Sequence, residues 1–288
     1  MLDFLKNLDR RWIFLAMLLA VAIPVVMQKT FPEKPTKLVQ DAFDAIENLP
    51  DESNVLFSFD YEPSTEGELA PMAKALIRHC CLKRHKMFFM TLWPGGLPLI
   101  EQNIEDIISK EYEEEHFARG KDYLNLGYNA GREVAIIVMG TNFKRMFPTD
   151  NDKIPLDDPT LPMAHDIDRL DDMDLIVDIS AGYPGMKEWV QYAASPYGIK
   201  LVIASTAVQA PQAYPYYPNQ LTGVLAAIKG AAEYEAALGE KYPKYRDPAF
   251  NDAIRRMAPQ LWAHLLIIGL ILLGNGIYFA ERIKGTRR

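Results

Sequence analysis

Five short apolar runs punctuate the middle of this chain: VLFSFDY (55–61), KMFFMTL (86–92), EVAIIVMG (133–140), DLIVDIS (174–180) and KLVIAST (200–206). Most are continuous rather than alternating. A strand with one wet face alternates, whereas a continuous run suits a strand buried on both faces, as in parallel sheets covered by helices. Helical patterns fill the spaces between the runs. Leu38, Val39, Ala42, Phe43 and Ile46 make one amphipathic stretch, and residues 66–85, 97–118, 184–195 and 220–239 make four more. Strand–helix alternation predicts an α/β fold: a Rossmann-like, mostly parallel sheet of about five strands with helices on both faces. Residues 141–173, with four prolines and many aspartates, read as loop.

Both ends of the chain are apolar. Residues 12–28 (WIFLAMLLAVAIPVVMQ) carry no charge, and residues 261–280 have only His264 and Asn275 as strongly polar members. The second matches the roughly 20 residues that span a bilayer, and the first is shorter and contains Pro24. A signal peptide would also suit the first, with Lys6, Arg10 and Arg11 before it and a small-x-small site at Ala20–Ala22. Apolar residues continue past that site through Met27, which favours an uncleaved anchor. The expected organisation is a cytoplasmic tail (1–11), a transmembrane helix (12–28), a linker (29–37), the α/β domain (38–240), a connector (241–260), a second transmembrane helix (261–280) and a basic cytoplasmic tail (281–288). Short-tail charge orients such a chain. Lys6, Arg10 and Arg11 at one end, and Arg282, Lys284, Arg287 and Arg288 against Glu281 at the other, place both tails in the cytoplasm. The domain is then extracytoplasmic, on an inner (cytoplasmic) membrane.

The formal charge of −7, with basic residues scattered, argues against a nucleic-acid partner. Cys80 and Cys81 are adjacent in a predicted helix, where disulfide geometry is out of reach, so they read as small buried side chains. His79 and His85, beside Lys83, Arg84 and Lys86, read as a solvated helix end. The acidic segment HDIDRLDDMD (165–174) lacks the spacing and glycine of a calcium loop and reads as a solvated turn.

Ligands of parallel sheets bind beyond the carboxyl ends of the strands. Those ends supply Asp60 and Glu62, then Trp93, Gly95 and Gly96, then Asn142, then Asp178, Ser180 and Gly182, and finally Gln209, as crevice candidates. Each also has a plain structural reading, since glycines after strands turn the chain and Ser, Asp and Asn cap helices. The first strand is followed by DYEPSTEGE rather than G-x-G-x-x-G, no phosphate loop or nucleophile elbow is present, and no histidine pair has metal-ligand spacing. No catalytic residue, metal site or cofactor is therefore assigned.

Two features point to protein contacts. The loop PQAYPYYPN (211–219) holds Tyr214, Tyr216 and Tyr217 among three prolines, stiff and partly apolar. In the stretch read as helix 220–239, capped by Asn219, one face carries Gly223, Ala227, Gly230, Ala231 and Tyr234. Interior glycines cost a helix about 1 kcal/mol each, and close approach of a second helix would explain them.

The segments VLFSFDYEPSTEGELAPMAKALIRH, MTLWPGG, DLIVDISAGYPGMKEWVQYA and QLTGVLAAIKGAAEYE, with both apolar ends, resemble a family of uncharacterised prokaryotic membrane-anchored proteins. The resemblance implies an α/β domain between two terminal transmembrane helices and assigns no activity. The expectation is a non-enzymatic subunit of a membrane complex, partnered by the lipid bilayer and by other subunits or a second copy. The alternative is a tethered ligand-binding or sensor domain that uses the strand-end crevice.

Overall fold

The computed structural model describes residues 9–28 and 30–285; Lys29, most of the N-terminal tail (Lys6 included) and residues 286–288 lie outside the described residues. Six parallel strands form one sheet in the order β3-β2-β1-β4-β5-β6. Helix α1 (Arg10–Met27) precedes α2 (Lys37–Glu47), and β1 (Asn54–Asp60) leads through α3 (Glu66–Leu82) to β2 (Lys86–Thr91). Helix α4 (Gly96–Asn103), extended by a π-helical turn to Glu111, leads to β3 (Tyr123–Tyr128) and then α5 (Glu133–Met139). After a long loop come β4 (Leu175–Ser180), a helix starting as α6 (Met186–Trp189), β5 (Lys200–Ser205), β6 (Gly223–Ala226), α7 (Ala227–Lys241) and α8 (Asp252–Gly285).

The chain starts at β1 in the middle, winds outward through β2 and β3, then returns beside β1 at β4 and winds outward the other way. Helices α3 and α4 therefore cover one face and α6 the opposite one. On one face α2, α3, α4 and α7 bury Val55, Phe57, Phe89, Val177 and Val202. On the other, α5, α6 and the 143–173 loop bury Leu56, Phe88, Ile176 and Ile203. Strands β1 and β4 are buried along nearly their whole length, which is why their sequences do not alternate.

Three sequence expectations change. EVAIIVMG is not a strand but helix α5, and the third strand is the polar-looking YLNLGY. Ala135, Ile136 and Met139 of that run are buried while Val134 and Ile137 are exposed, a helical spacing that the run's apolarity masks. The helix expected at 220–239 starts only at Ala227, because 223–226 is edge strand β6. Ala227 itself has a left-handed φ of 56°, which turns strand directly into helix without a loop. The expected connector 241–260 belongs to the domain: Tyr245 and Ala253 lie in the core beside α7.

The expected solvated end at His79 and His85 is also overturned, since α2 and α7 close over it and both rings are fully buried. His79 Nε2 lies 2.9 Å from Glu47 and Nδ1 2.6 Å from the Tyr234 hydroxyl. Hydrogen bonding from His79 first, then from Lys241 and Tyr242, holds the Glu47 carboxyl far below its ordinary range. Cys80 and Cys81 are buried free thiols, as expected.

Directions of the outer helices decide where the chain leaves the domain. Helix α2 begins at the strand carboxyl end, where Thr36 hydrogen-bonds Glu233 and Glu33 pairs with Lys229 at 3.2 Å. Helix α8 runs back up along α7: Glu235 accepts from the Ala253 and Ile254 amides at 3.0 Å, capping its start, and Arg256 reaches the Gly67 carbonyl at the end of the sheet where α3 begins. Beyond that point α1 and α8 pack against each other. Both are long and apolar enough to cross a membrane. They leave the domain at the same end, the carboxyl end of the strands.

Gly223 permits close packing of α2 on β6: a Cβ there would lie 2.4 Å from the Ala42 backbone. Gly223→Ala should therefore lower stability by roughly 1–3 kcal/mol through overpacking. Gly67, in the first turn of α3 with open space around it, should instead gain about 0.4–1 kcal/mol on change to alanine. Thermal melts of the two variants check the contrast.

Candidate functional site

In a sheet of this order the chain reverses direction between β1 and β4, and that switch point is where ligands of such folds enter. The strand register puts Ser58 beside Asp178 and Asp60 beside Ser180. Alternation of side chains turns all four to the same face, beneath Trp189 of α6. Each of the five is completely buried.

Asp60 is well served by donors. The Leu92 amide donates to Oδ1 at 2.7 Å, and the Trp189 indole and Ser58 hydroxyl donate to Oδ2 at 2.9 and 2.7 Å. Asp178 receives only the Ser180 hydroxyl, at 2.7 Å on Oδ2, and its Oδ1 meets no donor. Burial pushes both carboxyls up, Asp60 to about 6 and Asp178 well beyond its ordinary value, where the neighbouring Asp60 charge adds to the effect. Two buried carboxyls side by side do not both ionise, so the pair holds a proton. The donor inventory assigns the charge to Asp60 and the proton to Asp178.

Above this pair the crevice is closed by the chain itself. The Trp93 indole donates to the Pro184 carbonyl at 2.8 Å, laying its ring over the 182–184 loop, and a Cβ on Gly182 would sit 2.9 Å from that ring. Gly96 is pressed against Thr91 and the Phe59 carbonyl, where a Cβ would lie 2.3 Å from the oxygen, and Gly95 is set against Glu62. The Cα positions of all three are therefore pressed on protein, and the Gly96 amide is taken by the Trp93 carbonyl at 3.0 Å. Glu62 is exposed and accepts from Ser64. Ser180 Oγ accepts from the Met186 amide at 3.2 Å, which starts α6.

Asn142 is not at the crevice, because the run before it is helix α5; it caps the short helix Phe143–Met146 by accepting from Arg145. Gln209 lines a shallow opening of about 230 Å³ between the ends of β4 and β5, with Gly182, Tyr183 and Lys187. Sequence reading missed Ser58 and Trp189. The first was visible: Ser58-x-Asp60 and Asp178-x-Ser180 are polar pairs at strand period on runs otherwise apolar.

The interface candidates divide. Gly223, Gly230, Ala231 and Tyr234 are buried within the domain, and Gly230 lies against the Leu225 backbone, 2.8 Å from a built Cβ. Their close approach is strand to helix within one chain, so the face is not open to another subunit. Ala227 forms the strand–helix junction. Tyr216 and Tyr217 pack on the core, with the Tyr217 hydroxyl bonded to Asp41 and 3.1 Å from Lys37. Tyr214 alone of the loop tyrosines projects, 47% exposed.

The proton-sharing pair has a measurable signature. Its carboxyls titrate higher folded than unfolded, so its stabilisation is full below about pH 4 and lost as pH rises through about 6 and beyond. Asp178→Asn, which replaces the protonated partner by a neutral isostere, should melt progressively higher relative to the parent as pH goes from 5 to 8. Asp60→Asn should cost roughly 1–3 kcal/mol at either pH, because it turns an amide donor on groups that already donate. A parent–Asp178→Asn difference independent of pH would contradict the shared proton.

Comparison with family models, curated proteins and solved structures finds no match to this chain.

Proposed function

We propose that this protein is a non-enzymatic, membrane-anchored subunit of a membrane complex, with α1 and α8 spanning the bilayer and the α/β domain outside the cytoplasm. The observation that carries the reading is the pair of helices itself. Packed together, they leave an apolar groove of about 560 Å³ lined by Ala16, Ala20 and Pro24 of α1 and by Trp262 and Leu265 of α8. Small residues flanked by large ones let a third helix approach closely within lipid. The switch point, in contrast, is filled by Trp93, Trp189 and a fully buried carboxyl pair, which weighs against the ligand-sensor alternative. Arg10, Arg11 and Arg282 at the far ends of the two helices support cytoplasmic tails.

Sizing of the full chain extracted from its own membranes in mild detergent should give a particle larger than one protomer. Ala20→Phe should reduce it to a protomer while the domain's melting is unchanged. A parent chain that runs as a protomer at every concentration would overturn the reading. For orientation, Lys153→Cys in an exposed loop should react with a membrane-impermeant thiol reagent in cells whose inner membrane is intact, and the buried Cys80 and Cys81 supply no background. Reaction only after that membrane is breached would reverse the topology.

A further inference from the structure

The exposed large hydrophobic side chains of the domain, among the described residues, are Tyr128, Val134, Ile137, Tyr183, Val208 and Tyr214. Tyr128, Tyr183, Val208 and Tyr214 come from three separate crossovers, yet all lie at one end of the sheet. Tyr128 ends β3, and Val134 and Ile137 belong to the short helix that follows it. Tyr183 is in the loop after β4, and Val208 and Tyr214 are in the segment after β5. Val208 is 84% exposed, whereas Val39, Val55, Val177, Val202 and Val224 of the same domain are buried. At the opposite end of the sheet the surface is charged instead, with Asp51, Glu52, Lys83 and Arg84 around a shallow hollow.

The apolar end is the end from which both long helices depart. Arg256 is tied to Gly67 at the level of the strand ends, and Leu261 follows five residues later, about 8 Å further along a continuous helix. On the other helix the chain is short too. Glu33 is already held by Lys229, and half-exposed Phe31 lies between it and the end of α1. Val208 and Tyr214 adjoin that entry, because Ala207, Tyr214 and Thr36 line one recess.

We propose that the carboxyl end of the sheet rests on the headgroup–acyl boundary of the bilayer that holds α1 and α8, with Tyr183, Val208 and Tyr214 inserted at its surface; this rests on the membrane-anchored reading above. The occupant is lipid rather than a protein partner because the two anchors bring the bilayer to this face without further assembly. The depth is interfacial. Arg132, Glu133, Lys187 and Glu188 are interspersed among the apolar side chains, and tyrosine places its ring in the apolar layer and its hydroxyl in the wet one. The shared-proton pair and the closed crevice then lie directly beneath a lipid-facing surface, not in open solvent.

Spin labels on the full chain in lipid vesicles test this. Single cysteines at Val208, at Glu52 on the opposite end and at Ile271 within α8 can be labelled without reaction at the buried Cys80 and Cys81. Oxygen partitions into lipid and a charged nickel chelate into water, so their collision ratios report depth. The Ile271 label should be strongly oxygen-favoured, the Val208 label intermediate, and the Glu52 label chelate-favoured. A Val208 label as aqueous as that at Glu52, with Ile271 in lipid, would overturn the resting surface and leave the anchors standing. An aqueous Ile271 label would overturn both.

Discussion

A parallel sheet has a direction, and that one constraint organises this molecule. All six strands point the same way, so every crossover returns the chain to one end and every strand finishes at the other. Helix α2 enters at the carboxyl end and α8 is welded along α7 until it passes that end, through Glu235 on its first amides and Arg256 on Gly67. The side of the fold that normally meets a ligand is consequently the side that meets the two long apolar helices. The exposed apolar residues follow the same polarity.

The switch point fits this placement. In an open crevice, glycine-rich turns leave amides free for an anion. Here Gly95, Gly96 and Gly182 instead let side chains and carbonyls come closer, and Trp93 and Trp189 seal what is left. A buried carboxyl pair is costly, and what makes it tolerable is one shared proton and three donors on Asp60. Its place is structural: Asp60 ties β1 to the start of the β2–α4 turn through Leu92 and to α6 through Trp189, so the two halves of the winding meet on one side chain.

Four of the strands and the layering were legible because continuous apolar runs and helical periodicity both survive in the sequence. The third strand was not. YLNLGY carries Asn125 and Gly127 at an edge where one side is half wet, while the neighbouring EVAIIVMG is apolar enough to imitate a strand. Strand β6 was absorbed into the following helix because no loop separates them and Ala227 makes the turn with an alanine in a left-handed conformation, which no residue-type rule anticipates. At the site, Asp60, Asp178 and Ser180 were found from strand ends alone. Closure of the crevice was not, since it depends on Trp93 meeting a loop 91 residues away. The small-residue face does not survive as one helix face: Gly223 lies in β6 and packs on α2, whereas Gly230 of α7 packs on the Leu225 backbone, and both partners are fixed only by tertiary packing.

The central claim is that the domain is held by its strand carboxyl end against the membrane. Single-particle imaging of the full chain in a lipid nanodisc measures this directly. The account predicts a domain seated on the disc, its strands ending toward the lipid and α8 running unbroken from the α7 layer into the bilayer. A domain that stands clear of the disc on flexible tethers, or presents the charged Asp51–Arg84 end to the lipid, would contradict it.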